Sequence, residues 1–519
     1  MKQRNRVVLG LLLLLASILY LSIVYKDTFG ERDSYRMLIG IIDSIAFDKP
    51  LGSRKLYGSD ISFAYYAFLD FFRPIFKTNL ALIVPFMNYV NATIAILMVI
   101  PFFFVVTRYW GTAIALLANI LLMLLPVWRV TSQYPHPMNG AILFMFIGLA
   151  LIGYRSYLSS LRLERYKLIL LDVLIVTAFA LCLMFRLDAI LMFSLIPACL
   201  LLENYSFKKI IYSSILYGFL PVIIFKVMQA QLAYIKDQEN GGIFAQLLLW
   251  NNPARYLDNF LKGSFMFIWG LNPLLCLVFL ISCIYLLYKR RYSALFFIFP
   301  TALINYIFWL PNPLPARHFI YLSPIVAISI AILLTDIFPR VKSFVNNNKK
   351  KGVILALFLI FSLAISNKYS YSAPLSKQYS HIVTHLGTKL QQLEAKDKPI
   401  FVIGDTIPAA AQMQLISRQT TVRSQETNVL TDESVQAQKK SVFKPQLQYI
   451  NLLYVENQNN KFLFYIQGFK NKINEIKRFL SETDKYDRAY LVVNILDKNG
   501  KKINFDTSNL SKKFEILKL

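Results

Sequence analysis

Several short segments of this chain gather ionisable and aromatic side chains at spacings that chemistry can use. The first is Gly30-Glu31-Arg32-Asp33-Ser34-Tyr35, just past an apolar run. A carboxylate placed there can take a proton from a hydroxyl that comes within hydrogen-bond reach. Glu31 and Asp33 are two residues apart, so on a helix they point to different sides and only one can be that base. The plain alternative is a solvated loop start. Arg54-Lys55, Tyr57 and Tyr65-Tyr66 follow in the same stretch. Tyr134-Pro135-His136-Pro137 reads either as a rigid turn or as the wall of a pocket. Met184-Phe185-Arg186-Leu187-Asp188-Ala189 interrupts an apolar run, and Pro315-Ala316-Arg317-His318 opens another. Arginine presents a planar fork of donors that fits phosphate oxygens. Arg186 and Asp188 can also simply pair with each other or with headgroups, and Arg317 and His318 can be interfacial anchors.

The elements that must position these residues are membrane spans. The 519 residues are 56% hydrophobic, with a mean hydropathy of +0.47. Long apolar runs alternate with short polar segments, as a bundle of spans requires. The net charge is +27, much of it in short loops, where it sets orientation and meets anionic lipid. No DNA- or RNA-recognition module is present, so nucleic acid is not an expected partner. Cys182, Cys199, Cys276 and Cys283 all lie in apolar segments, which predicts no structural disulfide. Val7 to Val24 follows Lys2, Arg4 and Arg6. That run is long for a signal peptide and lacks a small-residue cleavage site, so it reads as an uncleaved signal-anchor helix.

The hydropathy predicts about eleven spans, near 7–25, 80–106, 111–127, 138–154, 168–185, 189–203, 208–225, 265–288, 293–310, 318–338 and 353–366. With the N-terminus in the cytoplasm, every cytoplasmic loop is basic, as the positive-inside rule requires. That parity needs the run from Leu168 to Leu202 to be split at Arg186-Leu187-Asp188, because the loops at 155–167 and 204–209 are both basic. Asp33, Arg186, Arg317 and His318 then all fall on the exoplasmic face. Two exoplasmic loops are long, 26–79 and 226–264. Ile61–Phe76 reads as an interfacial helix that Pro74 ends. The expected architecture is an α-helical polytopic membrane domain over 1–366. A small extracytoplasmic α/β or α+β domain follows over 367–519, with strands at 399–404, 461–467 and 489–495 and helices at 382–394 and 471–482.

The order of these features resembles the GT-C superfamily of integral membrane glycosyltransferases, in particular the protein O-mannosyltransferases and aminoarabinose-transferase-like enzymes. The resemblance covers roughly 26–340 and lies in the acidic segment after the first span, the Tyr-Tyr stretch, the Arg186-Leu187-Asp188 turn and Arg317-His318-Phe319-Ile320-Tyr321-Leu322-Ser323-Pro324. It implies transfer of a sugar from a polyprenyl-phosphate donor to a hydroxyl of a glycolipid, polysaccharide or protein on the exoplasmic face, with inversion. Asp33, or Glu31, would be the catalytic base, and the spacing to Tyr35 favours Asp33. Arg317, His318 and Arg186 would bind the donor phosphate. Tyr35, Asp188, Arg54, Lys55, Tyr57, Tyr134 and His136 would line the substrate site. The loop Trp128 to Asn139 holds no Asp or Glu, which disfavours a divalent cation and points to transfer without a metal. A bacterial cytoplasmic membrane is the expected location. A lipid-linked sugar flippase and a polysaccharide polymerase or ligase are the alternatives. The flippase would show internal repeats and midplane charges, and the polymerase a large late exoplasmic loop.

Overall fold

The computed structural model describes residues 3–24, 62–78, 82–161, 165–231, 256–309 and 316–347, together with five β-strands from the C-terminal part. These residues fall into two units. One holds 3–24, 62–68 and 86–347; the other holds 69–78, 82–85 and the strands.

Helices follow the apolar runs because a backbone in hydrocarbon must satisfy its own N–H and C=O groups. α1 is Gln3–Ser22, α2 Phe63–Asp70, α3 Arg73–Thr78, α4 Ile83–Trp110 and α5 Thr112–Leu124. α6 (Pro126–Thr131) and α7 (Pro137–Ser160) each open on a proline, which is tolerated where the N–H has no intrahelical partner. α8 is Arg165–Phe185, followed by a 3-10 segment, Leu187–Met192, and α9, Leu195–Leu202. α10 (Phe207–Ser214) and α11 (Leu220–Gln231) join through a π-helical turn, Ile215–Phe219. α12 is Tyr256–Leu271, α13 Pro273–Tyr288 and α14 Tyr292–Trp309. A second 3-10 segment, Ala316–Leu322, leads into α15, Ser323–Asn347.

Among the described residues six helices are long and apolar enough to cross a membrane, or up to seven if a bent pair counts as one span. The chain is an integral membrane protein. The runs expected to span near 111–127, 189–203 and 293–310 are shorter apolar helices here, Thr112–Leu124, Leu187–Leu202 and Tyr292–Phe308; 353–366 lies outside the described residues. One expected span is corrected. The run 265–288 is not a continuous helix but the pair α12–α13, bent by 101°. The break is at Asn272, whose backbone is left-handed (φ 80°) and whose side-chain oxygen accepts from the N–H groups of Leu274 and Leu275. Hydropathy does not register the break because both helices are apolar. Pro74 also departs from expectation. α2 already ends at Asp70, and Pro74 sits in the first turn of α3, where its ring fits.

Polar contacts collect at the two ends of the helices. At one end Arg108 of α4 pairs with Glu203 beyond α9 at 2.9 Å, Thr112 donates to Asn5 at 2.9 Å, and Arg291 pairs with Asp336 at 2.9 Å. These are residues of the segments whose basic side chains set the expected orientation. Toward the same end Arg155 of α7 grips Asp172 of α8 at 2.5 and 2.9 Å, and Tyr217 of the π turn donates to the same carboxylate. α7 and α8 approach closely because Gly140 and Gly148 leave room for the rings of Phe185 and Phe179.

The five strands form one sheet in the order β2-β3-β1-β4-β5. They are β1 Ile400–Gly404, β2 Leu452–Glu456, β3 Phe462–Gln467, β4 Ala489–Asn494 and β5 Phe514–Lys518. β1 runs parallel to β3 and β4, and β4 parallel to β5; β2 is antiparallel to β3. The inner strands are near-continuous apolar runs, as parallel strands covered on both faces tend to be. β1, β3 and β4 fall where the sequence predicts strands. β2 and β5 are additions whose short runs carry Glu456, Glu515 and Lys518. The helices expected at 382–394 and 471–482 lie outside the described residues.

Candidate functional site

The site is built where α8 stops. α8 has 21 residues, about 31 Å at 1.5 Å per residue, close to the hydrocarbon thickness. Arg186 follows in extended backbone (φ −162°, ψ 116°) and opens the 3-10 segment that carries Asp188. Arg186 Nε donates to Asp188 Oδ1 at 3.1 Å, and its Nη1 reaches Ser62 Oγ, at the head of α2, at 3.5 Å. Tyr65 of α2 sets its ring edge-on to Phe185, centroids 6.0 Å apart. Arg186 is therefore held from both sides.

A second element meets this turn from far along the chain. Tyr321, 133 residues beyond Asp188, donates its hydroxyl to Asp188 Oδ1 at 2.5 Å. His318 Nδ1 lies 3.8 Å from Asp188 Oδ2. Residues three apart eclipse one another on a 3-10 helix, which is why His318 and Tyr321 address one carboxylate. The Asp188 and His318 side chains are only 5% and 8% exposed. A carboxylate that buried is stable as an anion only with donors or positive charge beside it; Arg186 and Tyr321 donate to Oδ1, and His318 stands 3.8 Å from Oδ2. Arg317 is close enough to act electrostatically on Arg186, His318 and His136.

His136 enters from a third element. It caps α7, with Nδ1 accepting the Met138 N–H at 3.4 Å, while its own N–H donates to Asn91 Oδ1 at 3.4 Å. Asn91 and Asn139 both donate to the Thr131 carbonyl, at 2.6 and 3.3 Å, which pins the turn. With Nδ1 accepting, the ring proton sits on Nε2. Burial first, then the positive fields of Arg317 and Arg186, hold the His136 imidazole well below its usual pKa. Tyr134 is buried beside it, ring centroids 6.2 Å apart.

Six of the residues singled out from the sequence thus belong to one neighbourhood: Arg186, Asp188, Arg317, His318, Tyr134 and His136. Asp33, Glu31, Tyr35, Arg54, Lys55 and Tyr57 lie outside the described residues. The pairing of Arg186 with Asp188 is real, and it is part of the cluster rather than a separate surface contact. Sequence reasoning missed three participants. Tyr321 stood inside the quoted motif, and its i, i+3 spacing from His318 was the available signal. Ser62 and Asn91 carried none, since a hydroxyl or an amide in an apolar run announces no partner. Among the described residues no group of three or more His, Cys, Asp or Glu side chains is placed to hold a metal ion.

Fold and site together define a polytopic membrane protein with a buried, donor-rich polar centre at one end of its helices. No protein-family model matches the chain, and no curated protein matches it by sequence. Solved structures do. The chain is similar to the oligosaccharyltransferase AglB from Archaeoglobus fulgidus, solved with an inhibitory peptide and a dolichol-phosphate: 12% identity, 79% of this chain and 64% of that one, TM-score 0.47. The apo form of the Archaeoglobus fulgidus enzyme matches at 13% identity over the same shares, with a TM-score of 0.49. ArnT from Cupriavidus metallidurans, bound to undecaprenyl phosphate, matches at 14% identity over 78% of this chain and 74% of that one, TM-score 0.45. The chain spans less than two thirds of the AglB length.

Proposed function

We propose that this protein is a membrane glycosyltransferase that moves a sugar from a polyprenyl-phosphate donor to an acceptor hydroxyl on the exoplasmic face. The observation that carries the reading is the convergence of Arg186, His318 and Tyr321 on buried Asp188, with Arg317 and His136 in electrostatic reach. A lipid-linked phosphate lies at the depth where spans end. Fixed guanidinium and imidazole donors in a water-poor site stabilise the negative charge that grows on the phosphate as the glycosidic bond breaks. Because they are already oriented, they need little rearrangement when the charge appears.

Asp188 keeps the arginine fork and the His318 ring in place. Asp33 or Glu31 takes the acceptor proton as the hydroxyl attacks, and direct displacement inverts the anomeric centre. The transfer is metal-independent in this reading. The acceptor is a glycolipid, polysaccharide or protein of a bacterial envelope, and the C-terminal domain caps the site or binds that acceptor.

The test is transfer of labelled sugar from a panel of polyprenyl-phosphate sugars, with and without chelator, by wild type, Asp33→Asn, Glu31→Gln and Arg317→Ala. The proposal expects chelator-insensitive transfer that one carboxamide variant abolishes. Arg317→Ala should lower it about 100-fold, in the range for losing one donor to a developing charge. Transfer by none of the donors, from a folded protein, would leave the flippase reading ahead.

A further inference from the structure

The 101° break at Asn272 raises the question of what α12 does, since a helix nearly perpendicular to α13 cannot span alongside it. α13 runs from Asn272 to the end where Tyr285 bonds Asp336. Its other end lies at the centre: a Cβ on Gly270 would stand 3.2 Å from the Ala316 carbonyl, at the start of the 3-10 segment that carries Arg317 and His318. Phe267 also stacks edge-on against Phe319, centroids 5.5 Å apart.

We propose that α12 is an interfacial helix lying in the plane of the membrane, on the side of the Arg186–Asp188 centre, with one stripe in the acyl chains of that leaflet. Around α12, at about 100° per residue, three faces differ. Asn259, Phe267 and Gly270 lie on the side packed against protein. Leu257, Leu261, Phe265 and Ile268 form a stripe on the opposite side and are 40–73% exposed. Between these two faces, Asp258 and Lys262 form an exposed ion pair. Protein on one side, hydrocarbon on the other and water above is the pattern of a helix at a membrane surface. The occupant of the apolar stripe is lipid rather than another protein. Past the bend α13 exposes Leu277, Leu280 and Ile284 in its turn, and these, on a helix running into the membrane, face lipid. α12 thereby ties the depth of the Arg317–His318 turn to the lipid surface.

The experiment is site-directed spin labelling of the full chain in phospholipid nanodiscs. Labels go one at a time on Leu257→Cys, Leu261→Cys, Phe265→Cys and Ile268→Cys, with Cys283, the native cysteine that is not fully buried, changed to Ala. Depth is read from the ratio of relaxation by oxygen to relaxation by a water-soluble nickel complex. An Ile284→Cys label, about 18 Å along α13 from the break, supplies the deep reference. The expected result is four shallow depths that agree within about 5 Å, the radius of a helix with its side chains, and a nickel-dominated Lys262→Cys. A depth that grows steadily by about 16 Å from 257 to 268 would overturn the proposal in favour of a span. Nickel access at all four would overturn it in favour of a water-facing surface, and weak relaxation by both oxygen and nickel would overturn it in favour of a protein-covered one. Neither result depends on whether the chain transfers sugar.

Discussion

Asp188 is the residue whose loss should be felt most. Its side chain is 5% exposed and its partner Arg186 18%. Replacing Asp188 by Asn leaves a guanidinium largely out of water without its counter-charge. Breaking a buried pair from one side costs ~3–5 kcal/mol. Arg186 keeps Ser62 Oγ at 3.5 Å and some contact with solvent, which favours the lower figure. Tyr321 exchanges a charged acceptor for a neutral one, a further ~1 kcal/mol. The two losses share one carboxylate and are not additive, so the expected cost is about 3–4 kcal/mol. Asp258→Asn is the internal control. Its pair with Lys262 has side chains 62% and 60% exposed, where such pairs contribute under ~1 kcal/mol. The assay is reversible unfolding of the purified protein in lipid–detergent mixtures, titrated with a denaturing detergent. The double variant Arg186→Met, Asp188→Leu should lose less than Asp188→Asn alone, because it strands no charge. If Asp188→Asn unfolds within ~0.5 kcal/mol of Asp258→Asn, the ordinary scatter for surface changes, the buried cluster is not what holds this end together.

Two further outcomes follow from particular contacts. Gly148→Ala would place a Cβ 2.4 Å from the ring of Phe179; that ring is fully buried and cannot swing clear, so the α7–α8 seam should open and the protein lose ~1–3 kcal/mol in the same titration. His136, neutral in the fold with its pKa pushed below the usual 6.5, should make stability depend on pH. Its contribution is fully present above about 6.5 and is lost as the pH falls below that value, because the unfolded chain then takes up a proton that the folded one refuses. His136→Asn retains an N-cap acceptor and does not titrate, so its stability from pH 7 to pH 5 should fall less than that of wild type.

How much of this was legible in the sequence differs from residue to residue. The interruption of an apolar run by Arg186-Leu187-Asp188 is a one-dimensional signal, since two charges so close together are costly in hydrocarbon, and the helix does stop there. Arg317-His318 was legible for the same reason. The apolar cores of β1, β3 and β4 also stood out, because parallel strands show as continuous runs. By contrast, β2 and β5 carry Glu456, Glu515 and Lys518, which break up their apolar runs. The bend at Asn272 was overlooked because a window average over two strongly apolar helices outweighs one polar residue, although Asn272-Pro273 is itself a helix-start signal.

The sequence by itself determined that long apolar helices make this an integral membrane protein, and that Arg186, Asp188, Arg317 and His318 stand at the ends of apolar runs. Those properties come from transfer free energies of individual side chains, and composition records them directly. Only the tertiary structure decided that Asp188 meets Tyr321 and His318 across 133 residues of chain, that Asn91 and Asn139 pin the His136 turn, and that α12 turns away from α13. These depend on which face of each helix packs against which neighbour. Neither composition nor the direction of the hydropathy pattern encodes that choice of partner; close packing of the helices does.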